Sequence, residues 1–319
     1  MNKISRKIAP QKLAVKDSVP SSVPMTAEDY EKAARADSTL KAYANDIRYF
    51  GRDACPLPSS PTDVIEWLVM ASTTLAPATI QRRLVALSVW HKQRGFISPV
   101  ADSKVKRVFA GICRTLGTKQ RSVKPLVRDD LISVLASVER QNPIAAARDS
   151  ALLLLAFASA LRRSNLVTIK VEELTRHPQG LDIFIPRSKT DPGKGRVLSV
   201  PNALGDHCPV KALTYWLAIS GIQSGYVFRS VNKHGHVGAD KLEVGSVGRI
   251  LKRAVALSGR DASEYSSHSG RAGFVTSAAM AGMPTFQIAQ VTNHKGIQSL
   301  QLYMRVIDHP SSSVSDVSL

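Results

Sequence analysis

Apolar positions in residues 28–116 recur at helical intervals and are broken by proline-containing stretches. From Asp37 or Ser38, either of which can cap, Leu40, Tyr43, Ile47 and Phe50 fall on one helical face. Residues 55–61 form a proline-rich break, and Thr62 or Asp63 opens a second helix containing Ile65, Leu68 and Val69. Pro77 stands near the start of a third helix, from about 78 to 93. Its apolar set is Ile80, Leu84, Leu87 and His91, with Gln81, Arg82, Lys92 and Gln93 on the opposite face. A fourth helix, from about 103 to 116, mixes Val105, Val108, Phe109 and Ile112 with Lys104, Lys106, Arg107 and Arg114. The pattern predicts a small, basic, all-helical domain over 28–116.

Residues 117–125 (GTKQRSVKP) are polar, cationic and bounded by glycine and proline, which predicts a linker. A second domain, 126–319, follows. Asp129 or Asp130 can cap a helix to about 140, and 148–161 predicts a buried helix. The period then changes. Residues 181–186 (LDIFIP) and 196–200 (RVLSV) are β-prone, and Asp191-Pro192-Gly193 between them has turn chemistry. The expectation is a hairpin whose tip carries Lys189 and Lys194. Helices resume at 210–220, at about 245–257, and from 268 onward. Upstream of the first domain, residues 1–27 are polar and basic, with Pro10, Pro20 and Pro24, and read as a mobile arm.

A chain of 319 residues suits two such domains. It carries 43 Lys and Arg against 25 Asp and Glu, a net charge of +18 spread along its length. That excess points to a polyanionic partner, DNA or RNA. Cys55, Cys113 and Cys208 are far apart and form no paired motif, which argues against a disulfide scaffold or a zinc site. The most apolar run, 151–161, is too short to span a bilayer, and the basic N-terminal segment lacks the apolar core of a signal peptide. The location expected is cytoplasmic and DNA-associated. His234 and His236 resemble a chelating pair, but they sit in a glycine-rich stretch with no third ligand and read as a solvated loop.

Five positions in the second domain carry candidate chemistry. Arg162 follows the buried run in ALRRSNL (160–166), where a guanidinium needs an anionic partner. On local sequence alone, a structural ion pair or a helix C-terminal cap is the favoured explanation. His268 and Arg271, in SHSGR (267–271), share one face if they begin a helix that Ser266 caps, and a helix start favours anions. His294 and Tyr303 follow, and Tyr303 among aliphatic residues reads by itself as core.

In order and spacing, Arg162, Lys189, His268-x-x-Arg271, His294 and Tyr303 resemble the active site of the tyrosine site-specific recombinases, the phage integrase family. The resemblance runs from about residue 38 through nearly the whole chain. The stretch 75–84 (LAPATIQRRL), followed by His91 and Gly95, is similar to a DNA-contacting helix of the Cre-like members. The resemblance implies a mainly α fold with a small β-sheet. A helical SAM-like core-binding domain would be followed by a mixed α/β catalytic domain, the pair forming a clamp around DNA.

It also implies roles. Arg162 and Arg271 would hold the scissile phosphate, with His268 as base, His294 bonded to the phosphate, Lys189 as leaving-group acid and Tyr303 as nucleophile. Lys194 is the alternative acid if the hairpin register differs. No cofactor or metal is implied. The implied partner is double-stranded DNA with an inverted-repeat site, bound by a homodimer at each site and a homotetramer in synapsis, in a protein of bacterial, phage or plasmid origin. Lys41, Thr79 and Arg82 are candidate DNA contacts by the same resemblance. Arg249, Lys252 and Arg253 are candidates because they share one predicted helix. The family's acidic residue three positions after the first arginine is here Asn165, and the polar tail offers little apolar surface for docking on a neighbour. Two other readings share the pattern: a DNA-binding protein without catalysis, and a type IB topoisomerase-like enzyme.

Overall fold

The structure is a computed structural model that describes residues 26, 30, 34–53, 55–118, 123–186 and 195–293. The chain divides into two compact units, 1–120 and 121–319.

In the first unit, helices α1 (Asp37–Arg52), α2 (Pro61–Ser72), α3 (Pro77–Gln93) and α4 (Ser103–Leu116) enclose Phe50, Trp67, Leu68, Ile80, Leu87 and Val105. Apolar spacing located these helices, but the caps differ from expectation at two of them. α1 is entered from Ala36, which makes no side-chain cap, and Asp37 lies inside the first turn, where its charge meets the positive end of the helix. α2 is capped by Ser60, not by Thr62 or Asp63. Asp63 instead completes a capping box: its amide donates to Ser60 Oγ (3.3 Å) and Ser60 N–H donates to Asp63 Oδ2 (2.7 Å).

Two polar groups are built into this core. His91 is fully buried; Ser59 N–H donates to its Nε2 at 2.9 Å, so the proton sits on Nδ1 and is donated to Leu87 O, also at 2.9 Å. Asp46 has no exposed surface and joins α1 to α3. Arg82 grips it with Nε and Nη2 (2.9 and 2.8 Å), while the buried Arg83 approaches it at 3.9 Å and Asp53 at 3.5 Å.

The second unit contains α5 (Arg128–Val138), α6 (Pro143–Ser159), α7 (Arg163–Leu166), β1 (Leu174–His177), β2 (Gly180–Ile185), β3 (Arg196–Pro201), α8 (Pro209–Ser220), β4 (Arg229–Val231), β5 (Val237–Lys241), α9 (Val244–Leu257), α10 (Ser269–Met280) and α11 (Thr285–Thr292). α6 is the central helix and packs against α5, α8, α9 and α10. Its apolar residues, among them Ala151, Leu152 and Leu155, are buried on several faces, as a run without polar alternation requires. α6 begins earlier than expected because Asn142 caps it and Pro143 occupies its first position. It also ends earlier, at Ser159, so Arg162 lies beyond it. At α5 neither Asp129 nor Asp130 is the cap. Both lie in the first turn, and Asp130 pairs with Arg260 at 2.9 Å.

β1, β2 and β3 form an antiparallel sheet in that order, and β2–β3 is the expected hairpin, with Ile185 opposite Arg196. Leu181, Ile183, Ile185, Leu198 and Val200 face the core, while Phe184 and Val197 face outward. β1 and the two-stranded β4–β5 sheet lie outside the expected strands. His234 and His236 lie between β4 and β5, where both amides donate to Asn232 Oδ1, so that loop is a turn built on Asn232. Among the described residues, no helix is long and apolar enough to cross a membrane.

Candidate active site

The site is assembled where α6 ends. Ala160 adopts a left-handed conformation (φ 47°) and redirects the chain, and Leu161 then returns to the core. Arg162 follows in extended conformation as the residue that leads into α7, half-buried. It is therefore not the C-terminal cap of the buried helix. That place belongs to Arg271, only 6% exposed, whose Nη1 donates to Ala160 O at 2.7 Å.

Arg271 is held there by the start of α10. His268 is the residue from which α10 begins, one position later than a helix opening on His268 itself, and Ser266 Oγ accepts its amide at 3.1 Å. The chain entering the second unit crosses this helix, and Leu126 N–H donates to Ser269 O at 3.0 Å. The crossing is close enough to require Gly273, since a Cβ there would lie 1.8 Å from Leu126 O.

Arg162 and Arg271 line one small cleft. Asn165 from α7, Pro186 at the end of the hairpin's outgoing strand, Arg196 at the start of its returning strand, and Thr292 and Asn293 at the end of α11 line it too. Among the described lining residues there are three arginines and no carboxylate. Three arginines thus line a narrow cleft, and the planar fork of a guanidinium is suited to phosphate oxygens. His268 keeps an exposed edge, yet desolvation by its surroundings holds its pKa below the ordinary histidine value. The charges of Arg163, Arg271 and Arg162 act in the same direction. Its imidazole is thus neutral near pH 7 and able to accept a proton.

Lys189, Lys194, His294 and Tyr303 lie outside the described residues. In sequence, Pro186 and Arg196 bracket the segment that carries Lys189, and Asn293 immediately precedes His294. The remaining candidates are distributed over the two units. In the first, Lys41 is exposed on α1, Thr79 is the third residue of α3, and Arg82, about half exposed, has its fork engaged by Asp46. In the second, Arg249 is exposed but paired with Glu243 at 2.8 Å, and Lys252 is exposed. Arg253 binds the buried Asp149 at 2.7 Å, which gives it a structural task. Arg196 was not singled out from the sequence. It follows a glycine and opens a β-prone run, and nothing local marks its position in the cleft. Among the described residues, no cluster of His, Cys, Asp or Glu is arranged to hold a metal ion.

Residues 126–309 match the phage integrase family. An integrase/recombinase XerD homologue of Selenomonas ruminantium is 35% identical over 282 residues, covering 85% of this chain and 82% of that one. The recombinase Cre of Escherichia phage P1 is 26% identical over 278 residues, covering 81% and 79%. A crystal structure of a lambda integrase dimer bound to a COC′ core site shares the fold, with a TM-score of 0.61 at 17% identity over 92% of this chain and 97% of that one. The match over the second unit, the relatives that extend it across most of the chain, and the arginine cleft agree. This chain belongs to the phage integrase family and is a tyrosine recombinase, an enzyme that breaks and rejoins DNA at specific sites.

Proposed function

We propose that Tyr303 attacks a DNA phosphate held between Arg162 and Arg271. The observation that carries this reading is the cleft itself: two arginines 109 positions apart line it with no carboxylate among its described residues. The tyrosine oxygen forms a bond to phosphorus, the bond from phosphorus to the 5′ oxygen breaks, and a 3′-phosphotyrosine with a free 5′ hydroxyl results. The tyrosine proton passes to His268, because a phenol with an ordinary pKa of about 10 needs a base near neutrality. The departing 5′ oxygen takes a proton from Lys189, with Lys194 as the alternative donor. His294 bonds the phosphate.

Negative charge grows on the non-bridging oxygens as the attack proceeds, so fixed arginines stabilise the transition state more than the ground state. The covalent bond retains the free energy of the phosphodiester. A 5′ hydroxyl from a second duplex reverses the step without ATP. Asn165 replaces the usual acid, so the arginine pair keeps its full positive field.

The helical domain, 28–116, binds DNA through Lys41, Thr79 and the exposed part of Arg82, and the second domain adds Arg249 and Lys252. The site is an inverted repeat that binds a homodimer, and two such sites pair in a homotetramer. A plasmid carrying two copies of the DNA sequence selected by this chain from a random library tests the reading. Recombination between the copies in EDTA, without ATP, is expected. Site-independent relaxation without recombination, or activity that EDTA abolishes and Mg²⁺ restores, overturns it.

A further inference from the structure

Arg196 opens β3, and its guanidinium reaches across to the end of α11. Nη1 donates to Gln290 O at 3.3 Å and to Val291 O at 3.4 Å, and Nη2 donates to Val291 O at 3.4 Å. These carbonyls belong to the last helical turn, at the negative end of the helix dipole; Gln290 O also accepts from the Asn293 amide at 3.4 Å. A planar fork with two donor nitrogens fits such a pair of acceptors, and a lysine would replace it with one point charge. α11 stops just beyond, at Asn293, which takes a left-handed conformation (φ 52°). Arg196, Thr292 and Asn293 line the same cleft as Arg162 and Arg271.

The tie is therefore between two walls of the arginine cleft, not between remote surface elements. One wall is the hairpin edge, from which the segment bearing Lys189 departs. The other is the helix end, from which the chain passes into His294.

We propose that Arg196 is a positioning residue for strand cleavage. By holding the last turn of α11 to the hairpin, it fixes the helix end at Asn293, which directly precedes His294 in sequence. The inference rests on the reading of the site given above. Groups that act on a transition state must be held to about half an ångström, and loosening the shell that supports them costs roughly 10- to 100-fold.

The test uses the full chain and a nicked suicide substrate bearing its selected site. R196Q is expected to slow covalent adduct formation by roughly 10- to 100-fold, with R196K intermediate. The dissociation constant for uncleaved DNA should stay within about twofold. In an H294A background, R196Q should add less than about threefold, because both substitutions disable one arrangement. A purely structural role would slow both backgrounds by the same factor or weaken DNA binding. Either of those results, or R196Q cleaving at the unsubstituted rate, overturns the inference alone. Absence of adduct from the unsubstituted chain overturns the site assignment and the inference with it. Should R196Q fail to fold, R196K carries the same comparisons.

Discussion

Arg271 Nη1 donates to the carbonyl oxygen of Ala160 at 2.7 Å, a contact spanning 111 positions of sequence. Ala160 is a non-glycine residue in the left-handed region, fully buried at the end of the central helix. Its carbonyl is one of the acceptors a helix leaves unpaired, and the guanidinium that satisfies it also lines the cleft. One side chain thus caps the core helix and lines the cleft. The cation is fixed before DNA arrives, which is how an electrostatic site avoids reorganisation during the reaction.

Arg271→Lys should therefore lose more activity than its retained charge suggests. A lysine can satisfy Ala160 O or face the phosphate, but it has no fork to do both. Single-turnover adduct formation is expected to fall by roughly 10²- to 10³-fold. A thermal melt should show a loss of about 1.5–3 kcal/mol, the range for hydrogen bonds to charged groups. Near-normal cleavage by the lysine variant would show that the planar geometry is not used.

The acid side of the pH profile should report His268. Its pKa in the folded chain lies below the ordinary value of 6.5, from desolvation first and then from Arg163, Arg271 and Arg162. Under limiting DNA, the cleavage rate should hold down to pH 6.5 and fall only below it. Stability follows the same sign. An unfolded histidine takes up a proton before the folded one does, so stability is intact above 6.5 and declines as pH drops from there through the folded pKa. His268→Gln should remove both the acid limb of the rate and this share of the acid destabilisation. An acid limb centred above 6.5 in the unsubstituted chain would assign the base elsewhere.

Asp46→Ala should unfold the first unit more readily than any apolar truncation at its surface. The carboxylate is wholly buried, and removing it leaves the buried Arg83 and the fork of Arg82 without it. Breaking a buried pair from one side costs about 3–5 kcal/mol. Denaturant unfolding followed by tryptophan fluorescence, to which Trp67 and Trp90 contribute from the first unit, measures it. A loss below about 1 kcal/mol, the scale of surface pairs, would contradict the structural task given to Asp46.

The sequence showed α1 through α4 because their apolar positions keep a helical period, and Ile80, Leu84, Leu87 and His91 are all buried as spaced. It did not show β1, whose residues Leu174–His177 have no apolar alternation and become a strand by pairing with β2. Caps were misplaced where a neighbouring polar residue could serve equally well: Asp63 completes the box that Ser60 opens, and only the turn geometry separates their parts. Arg162, His268 and Arg271 were each ambiguous locally and informative only as a set. Arg196 was hidden because its partners are main-chain carbonyls at Gln290 and Val291, which carry no side-chain signature. Arg82 is a candidate DNA contact by resemblance, and sequence spacing does not show that Asp46 holds its fork.

The most direct measurement is covalent trapping on a nicked suicide substrate bearing the selected site, with the linked residue located by mass spectrometry. If Tyr303 is the nucleophile, the unsubstituted chain yields a phosphodiester-linked peptide containing Tyr303. Tyr303→Phe should then yield no adduct while its affinity for the same DNA stays within about twofold. An adduct formed by Tyr303→Phe, or one mapped to another side chain, would contradict the assignment.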